Sequence, residues 1–145
     1  MTRKKAGYSL LFLVFGLAIS LLGCDSFQSR FVGTWSSEKQ TLALSEDHRF
    51  IQKAGRTVMS GTWTADGRSL VLTPDQIDGK STVGFVSDLY QQIPKNPKVT
   101  TAQLKTQEQQ YLKVLQHLPM QLSEDRQTLT MYPDSPQAID FHHRG

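Results

Sequence analysis

Phe31-Val32-Gly33-Thr34-Trp35 and Gly61-Thr62-Trp63 are two copies of one short motif, and the run directly after the second copy decides the fold. That run is Thr64-Ala65-Asp66-Gly67-Arg68-Ser69-Leu70-Val71-Leu72-Thr73-Pro74. Asp66-Gly67 supplies the positive φ that a tight hairpin turn demands. Leu70 and Leu72 alternate with polar or small neighbours and so share one face, as do Leu42 and Leu44 before them. Thr and Trp suit a pleated, half-buried surface. Phe50, Ile51 and Val58 extend the same pattern, with Ala54-Gly55-Arg56 as a turn. A third echo runs through Ser123-Glu124-Asp125-Arg126-Gln127-Thr128-Leu129-Thr130-Met131-Tyr132-Pro133, where Leu129 and Met131 alternate after a turn. The copies are unevenly spaced, so they read as successive strands of one sheet and not as a solenoid. Trp35 and Trp63 are expected to bury their rings in its core.

The middle of the chain changes period. Val83, Val86, Leu89/Tyr90 and Ile93 recur at helical spacing until Pro94 and Pro97. Thr100-x-x-Gln103 then has the form of a capping box. Leu104, Glu108, Tyr111/Leu112, Leu115 and Leu118 line one side of a second helix, Ala102–Leu118, which Pro119 ends. Lys105, Gln107, Gln109, Gln110 and Lys113 make its other side polar. Two lysines are few for a membrane-surface helix, so this helix is expected to dock on the sheet through Leu104, Tyr111, Leu112 and Leu115. The fold class is α+β, mainly β: an antiparallel meander or small open barrel of six to eight strands, with an amphipathic helical insertion over 83–118.

Upstream of these elements the chain has a different character. Arg3-Lys4-Lys5 precedes an apolar run from Ala6 to Gly23, closed by Leu21-Leu22-Gly23-Cys24. A basic start and a short apolar run make a secretory signal. Its densest part, Leu10 to Leu22, is shorter than the roughly 20 residues that span a bilayer. The small residue directly before the only cysteine resembles the lipobox of bacterial lipoproteins, although Leu22 is bulkier than the residues commonest there. The resemblance implies cleavage between Gly23 and Cys24 and lipidation of the Cys24 thiol, with residues 1–23 removed. Residues 24–30 then form the lipidated cysteine and a tether. Even fully extended at about 3.5 Å per residue, Asp25 to Arg30 reaches only on the order of 20 Å, which keeps the domain of residues 31–145 near the membrane face. Asp25 resembles the signal that retains lipoproteins in the inner membrane of enteric-type bacteria. The implied location is a lipid-anchored protein facing the periplasm or the cell exterior.

The β domain adds a second resemblance. Gly33-Thr34-Trp35 followed by hairpins looks like the small lipocalin-like and META-like β domains of bacterial lipoproteins, and in lipocalins the first-strand Gly-x-Trp closes the barrel floor. A lipocalin needs about eight strands to enclose a ligand, and six or seven can be counted here.

Charge and chemistry narrow the function. The 16 Lys and Arg exceed the 13 Asp and Glu, but Arg3, Lys4 and Lys5 leave with the signal peptide and the remainder balances. The basic character of the precursor is therefore no nucleic-acid footprint. With Cys24 lipidated, no thiol remains for a disulfide, a thiolate metal site or nucleophilic catalysis. No Gly-x-Ser-x-Gly, phosphate-cradling glycine loop or His-Glu-x-x-His occurs. His142-His143 follow Ala138, Ile139 and Phe141, which reads as a last strand with a frayed polar end. Neighbours on a strand point to opposite faces, so the pair is not expected to share a metal. Glu46-Asp47, beside His48, and Glu124-Asp125 are read as solvated turns, and His117 as a helix end where a cation meets the macrodipole. No cofactor and no catalytic residue is expected. The expected function is an accessory or interaction module at the cell envelope, with a carrier or sensor of a small apolar ligand as the alternative. The expected partners are the membrane, through the lipid, and an envelope protein or apolar small molecule.

Overall fold

Alternation of buried and exposed residues marks most of the nine strands among the described residues, and the pairing of eight of them closes a barrel. The computed structural model describes residues 28–145. The strands are β1 (Gly33–Ser36), β2 (Gln40–Leu44), β3 (Arg49–Ala54), β4 (Thr57–Asp66), β5 (Ser69–Ile77), β6 (Lys80–Ser81), β7 (Leu118–Leu122), β8 (Thr128–Met131) and β9 (Ile139–Arg144). Two helices, α1 (Thr82–Gln91) and α2 (Thr101–Leu115), lie between β6 and β7. The class is α+β and mainly β, as expected.

The barrel is closed, where a meander or a small open barrel was expected. The order runs β4-β3-β2-β1-β9-β8-β7-β5, and a direct β4–β5 pairing joins its ends, leaving the two-residue β6 as an appendage on β5. Closure depends on two long strands and one return. β4 is long enough to pair with both β3 and β5. β9 comes back to β1, with Trp35 opposite His143 and Ser36 opposite His142. The histidine pair therefore belongs to a paired strand and is not a frayed end. Closing the sheet removes its unpaired edges.

Turn chemistry matches the sequence. Gly55 and Gly67 open the two-residue β3–β4 and β4–β5 turns at φ +62° and +60°. Glycine in that first central position is the type II′ requirement. The β2–β3 and β7–β8 turns repeat one design. Ser45 and Ser123 each donate a hydroxyl hydrogen bond to Asp47 and Asp125, at 2.5 Å in both cases. His48 and Arg126 come next at φ +61° and +60°.

The register places Gly33, the turns at Ser45–His48, Gly67-Arg68 and Ser123–Gln127, and Arg144 at one rim, termed lower. The β3–β4 and β8–β9 turns lie at the upper rim. The helical excursion leaves the upper rim after Ile77 and returns to it at Leu118.

Two readings of the helices need correction. The second helix ends at Leu115, with Gln116 as its C-cap, so Leu118 and Pro119 belong to β7. Leu118 is 2 % exposed and pairs with Leu72. The Leu112–Leu115–Leu118 spacing continues the helical rhythm by coincidence, and a proline is tolerated near the start of a strand. The helix also does not dock on the sheet. α1 packs on β5, where the Thr82 hydroxyl donates to the Pro74 carbonyl at 3.1 Å and Val86 is fully buried. α2 packs on α1, and none of its residues is fully buried. The capping box is present in full, with Thr100 and Gln103 each accepting the other's backbone N–H.

Candidate functional site

In an eight-stranded barrel the first place to look for a site is the interior, which at this size is either filled by side chains or holds one small ligand. Here the inward residues meet in rows across the strands. Trp63, Leu72 and Leu118 form one row, Leu70, Met120 and Met131 a second, and Leu122, Leu129 and Phe141 a third. All nine are at most 4 % exposed. Trp35, Leu42, Leu44 and Phe50 fill the other side and are buried to the same degree. The polar inward residue is Gln52, which donates to Gln40 Oε1 at 2.6 Å while its own Oε1 has no hydrogen-bond partner.

The two Gly-Thr-Trp copies are built alike in an unexpected way: a histidine covers each indole. His143 meets Trp35 edge-on at 4.9 Å, and His48 stacks on Trp63 at 4.6 Å. His48 Nδ1 lies 3.2 Å from the Trp63 carbonyl, and the Trp63 indole N–H donates to the Ser45 carbonyl at 3.1 Å. The glycines make room by different means. A Cβ on Gly33 would lie 2.8 Å from His143 Nε2, whereas one on Gly61 would lie 2.1 Å from the Thr73 carbonyl oxygen. His142, facing the other way, lies 3.3 Å from the Thr128 hydroxyl. Sequence reasoning found both tryptophans and missed both histidine covers. The motif's repetition was the available signal, but the partners are distant in sequence.

The turn carboxylates are exposed, as expected of solvated turns. Asp47 is held below the ordinary aspartate range by the Ser45 hydroxyl and then the Arg49 backbone N–H. Asp125 is lowered in the same way by the Ser123 hydroxyl and the Gln127 N–H. Both carboxylates are used up in bracing their own turns. Among the described residues no group of three or more His, Cys, Asp or Glu is arranged to hold a metal ion. His117 is exposed, just beyond the α2 C-cap.

Two surface grooves are lined wholly by described residues of the barrel and its helical excursion. One, of about 590 Å³, lies on the outside of β1–β3 over Thr34, Ala43 and Ile51, with Glu46 and Asp47 at its edge. The other, of about 500 Å³, lies in the helical excursion and is lined by Ile93, Pro94, Val99, Leu104 and Gln107. The excursion also carries five of the seven large apolar side chains exposed among the described residues: Val83, Leu89, Ile93, Tyr111 and Val114. Of the expected apolar stripe of α1, Val83, Leu89 and Ile93 thus face solvent, while Val86 is buried beside Thr82. Tyr90 and Tyr111 join the two helices, with rings 6.3 Å apart.

Gly23, Cys24 and Asp25, the residues assigned to cleavage, lipidation and membrane sorting, lie outside the described residues. No helix among the described residues is long and apolar enough to cross a membrane. Neither a protein-family model nor a curated protein matches the chain.

Proposed function

We propose that this chain is a bacterial lipoprotein, anchored through Cys24, whose β-barrel serves as an interaction module at the cell envelope and carries out no catalysis. The Leu21-Leu22-Gly23-Cys24 resemblance supports the anchor. The observation that carries the choice of module over carrier is the packed interior, where the residues that would line a ligand space in a lipocalin-like barrel fill it instead. An apolar guest would have to displace well-packed side chains, at a cost of the order found for overpacking a core, about 1–3 kcal/mol or more. The exposed apolar residues of the helical excursion support the same choice, because such concentrations on a surface mark interaction sites.

The alternative is a lipocalin-like carrier, and one atom favours it: the buried, unpartnered Oε1 of Gln52 offers an acceptor inside the barrel. Under the proposal Asp25 favours inner-membrane retention in an enteric-type envelope, and the domain sits close to the bilayer on its short tether.

Metabolic labelling with an alkyne palmitate analogue tests the anchor. The wild type is expected to take up label and Cys24→Ser to remain an unlabelled precursor. Label persisting on the serine variant would refute the assignment of Cys24.

A further inference from the structure

One strand of the barrel is broken, and the helical excursion fills the break. β4 occupies one edge of β5 from Ser69 to Ile77, so β6 and β7 share the other edge. Both run antiparallel to β5. Lys80 and Ser81 of β6 face Ile77 and Gln76, and β7 resumes with Leu118 opposite Leu72. β6 and β7 are therefore collinear pieces of one strand. The hairpin that starts this strand is complete. Asp78 and Gly79 form its two-residue turn at φ +49° and +79°, the signs that a type I′ turn requires. Asp78 also exchanges two hydrogen bonds of 2.8 Å with the Val58 backbone on β4. Continuing the β6 register puts Thr82 opposite Asp75, which leaves Pro74 and Thr73 facing the break. Pro74 has no N–H to leave unpaired, and its carbonyl accepts the Thr82 hydroxyl.

The barrel itself repeats a four-stranded meander. β1-β2-β3-β4 and β5-β7-β8-β9 are each a run of antiparallel neighbours, and the β4–β5 and β9–β1 pairings join the two runs. Leu44-Ser45-Glu46-Asp47 and Leu122-Ser123-Glu124-Asp125 are identical tetrapeptides at the same turn of each run. In the first run Ser37-Glu38-Lys39 is the whole β1–β2 connection, closed by the Ser37 N–H on the Gln40 carbonyl at 2.9 Å. In the second run the matching connection holds β6 and both helices. Among residues 83–117 Val86 alone is buried. We infer that residues 83–117 are a helical arm inserted into one strand of a two-copy barrel, and that the arm opens and recloses while the barrel stays folded. Opening the arm uncovers one buried side chain, whereas unfolding the barrel uncovers all its interior rows. Segments with few buried contacts open at free energies well below that of global unfolding. The exposed Val83, Leu89, Ile93, Tyr111 and Val114 all move with the arm.

Hydrogen exchange of the full-length protein in non-ionic detergent, read by mass spectrometry, tests the opening. The hydrogen-bonded amides of α1 and α2 should exchange about a hundredfold or more faster than those of β4, β5 and β9. Helices and strands exchanging at one common rate would overturn the arm. Excision tests the insertion. In the full-length chain residues 83–117 are replaced by Thr-Thr, the two residues for which the β5 register leaves room, and in parallel by a six-residue Gly-Ser linker. At least one variant should keep the near-ultraviolet signal of buried tryptophans and a single cooperative urea transition, with its midpoint within about 1 M of the wild type. Loss of the folded barrel in both variants would overturn the insertion.

Discussion

Gly61→Ala should be among the most damaging single-atom additions this barrel can receive. An alanine Cβ there would lie 2.1 Å from the Thr73 carbonyl oxygen, 2.8 Å from Pro74 Cα and 2.9 Å from Phe50 Cε1. Two of these atoms are backbone in the paired strand β5, at the point where the β4–β5 register slips between Ser60 and Gly61. Backbone cannot rotate aside as a side chain can, so the strands must separate or the slip must move. Overpacking a core costs about 1–3 kcal/mol, occasionally more, and a rigid obstacle puts this change at about 3 kcal/mol or above. With a urea slope of about 2 kcal/mol/M, the midpoint should fall by on the order of 1.5 M, read from tryptophan fluorescence. Gly55→Ala is the control. It adds the same atom at φ +62° with nothing within 4 Å, so it meets only left-handed strain of about 1–2 kcal/mol. Equal midpoints for the two variants would refute the close approach at Gly61.

The remaining predictions concern packing and pH. Trp35→Ala and Trp63→Ala each remove a ring at most 1 % exposed and should each cost about 3–5 kcal/mol in urea unfolding; a variant that barely moves the midpoint would place that ring outside the core. Leu129→Ala, at a fully buried position inside the barrel, should cost about 2–5 kcal/mol. Leu112→Ala, half-buried on α2, should cost only about 1 kcal/mol; the reverse ranking would mean that α2 packs into the barrel. Asp47 and Asp125 have lowered folded-state pKa values, so the unfolded chain binds more protons as the pH falls. Their stabilisation is complete above the ordinary aspartate range and is lost as the pH falls through the lowered one. The double variant Asp47→Asn, Asp125→Asn should flatten the acid limb of a thermal-stability profile; an unchanged limb would show that these carboxylates do not brace their turns.

Local features were legible in the sequence because their causes are local. Alternation at Leu42/Leu44, Leu70/Leu72 and Leu129/Met131 marked strands, Gly55 and Gly67 marked turns, and Thr100 with Gln103 marked a helix start. What stayed hidden depends on contacts far apart in the chain. Closure needs β9 to find β1, and the short β1 carries one buried side chain, Trp35, to signal it. The partner of α2 was misread because a half-apolar stripe fits a helix as well as a sheet. The true extent of β7 was masked by Leu118, which satisfies helical and strand periodicity at once. The histidine covers were illegible for the same reason: His48 owes its place to a positive-φ turn, and His143 to the register of the last strand.

Native mass spectrometry of the full-length protein extracted from its membrane tests the central claim most directly, because one spectrum reports both anchor and interior. The account predicts a chain that begins at Cys24, carries the acyl and diacylglyceryl mass on that residue, and has no stoichiometric small-molecule adduct. An unprocessed chain without lipid would contradict the anchor, and a bound apolar molecule released only on unfolding would contradict the filled barrel.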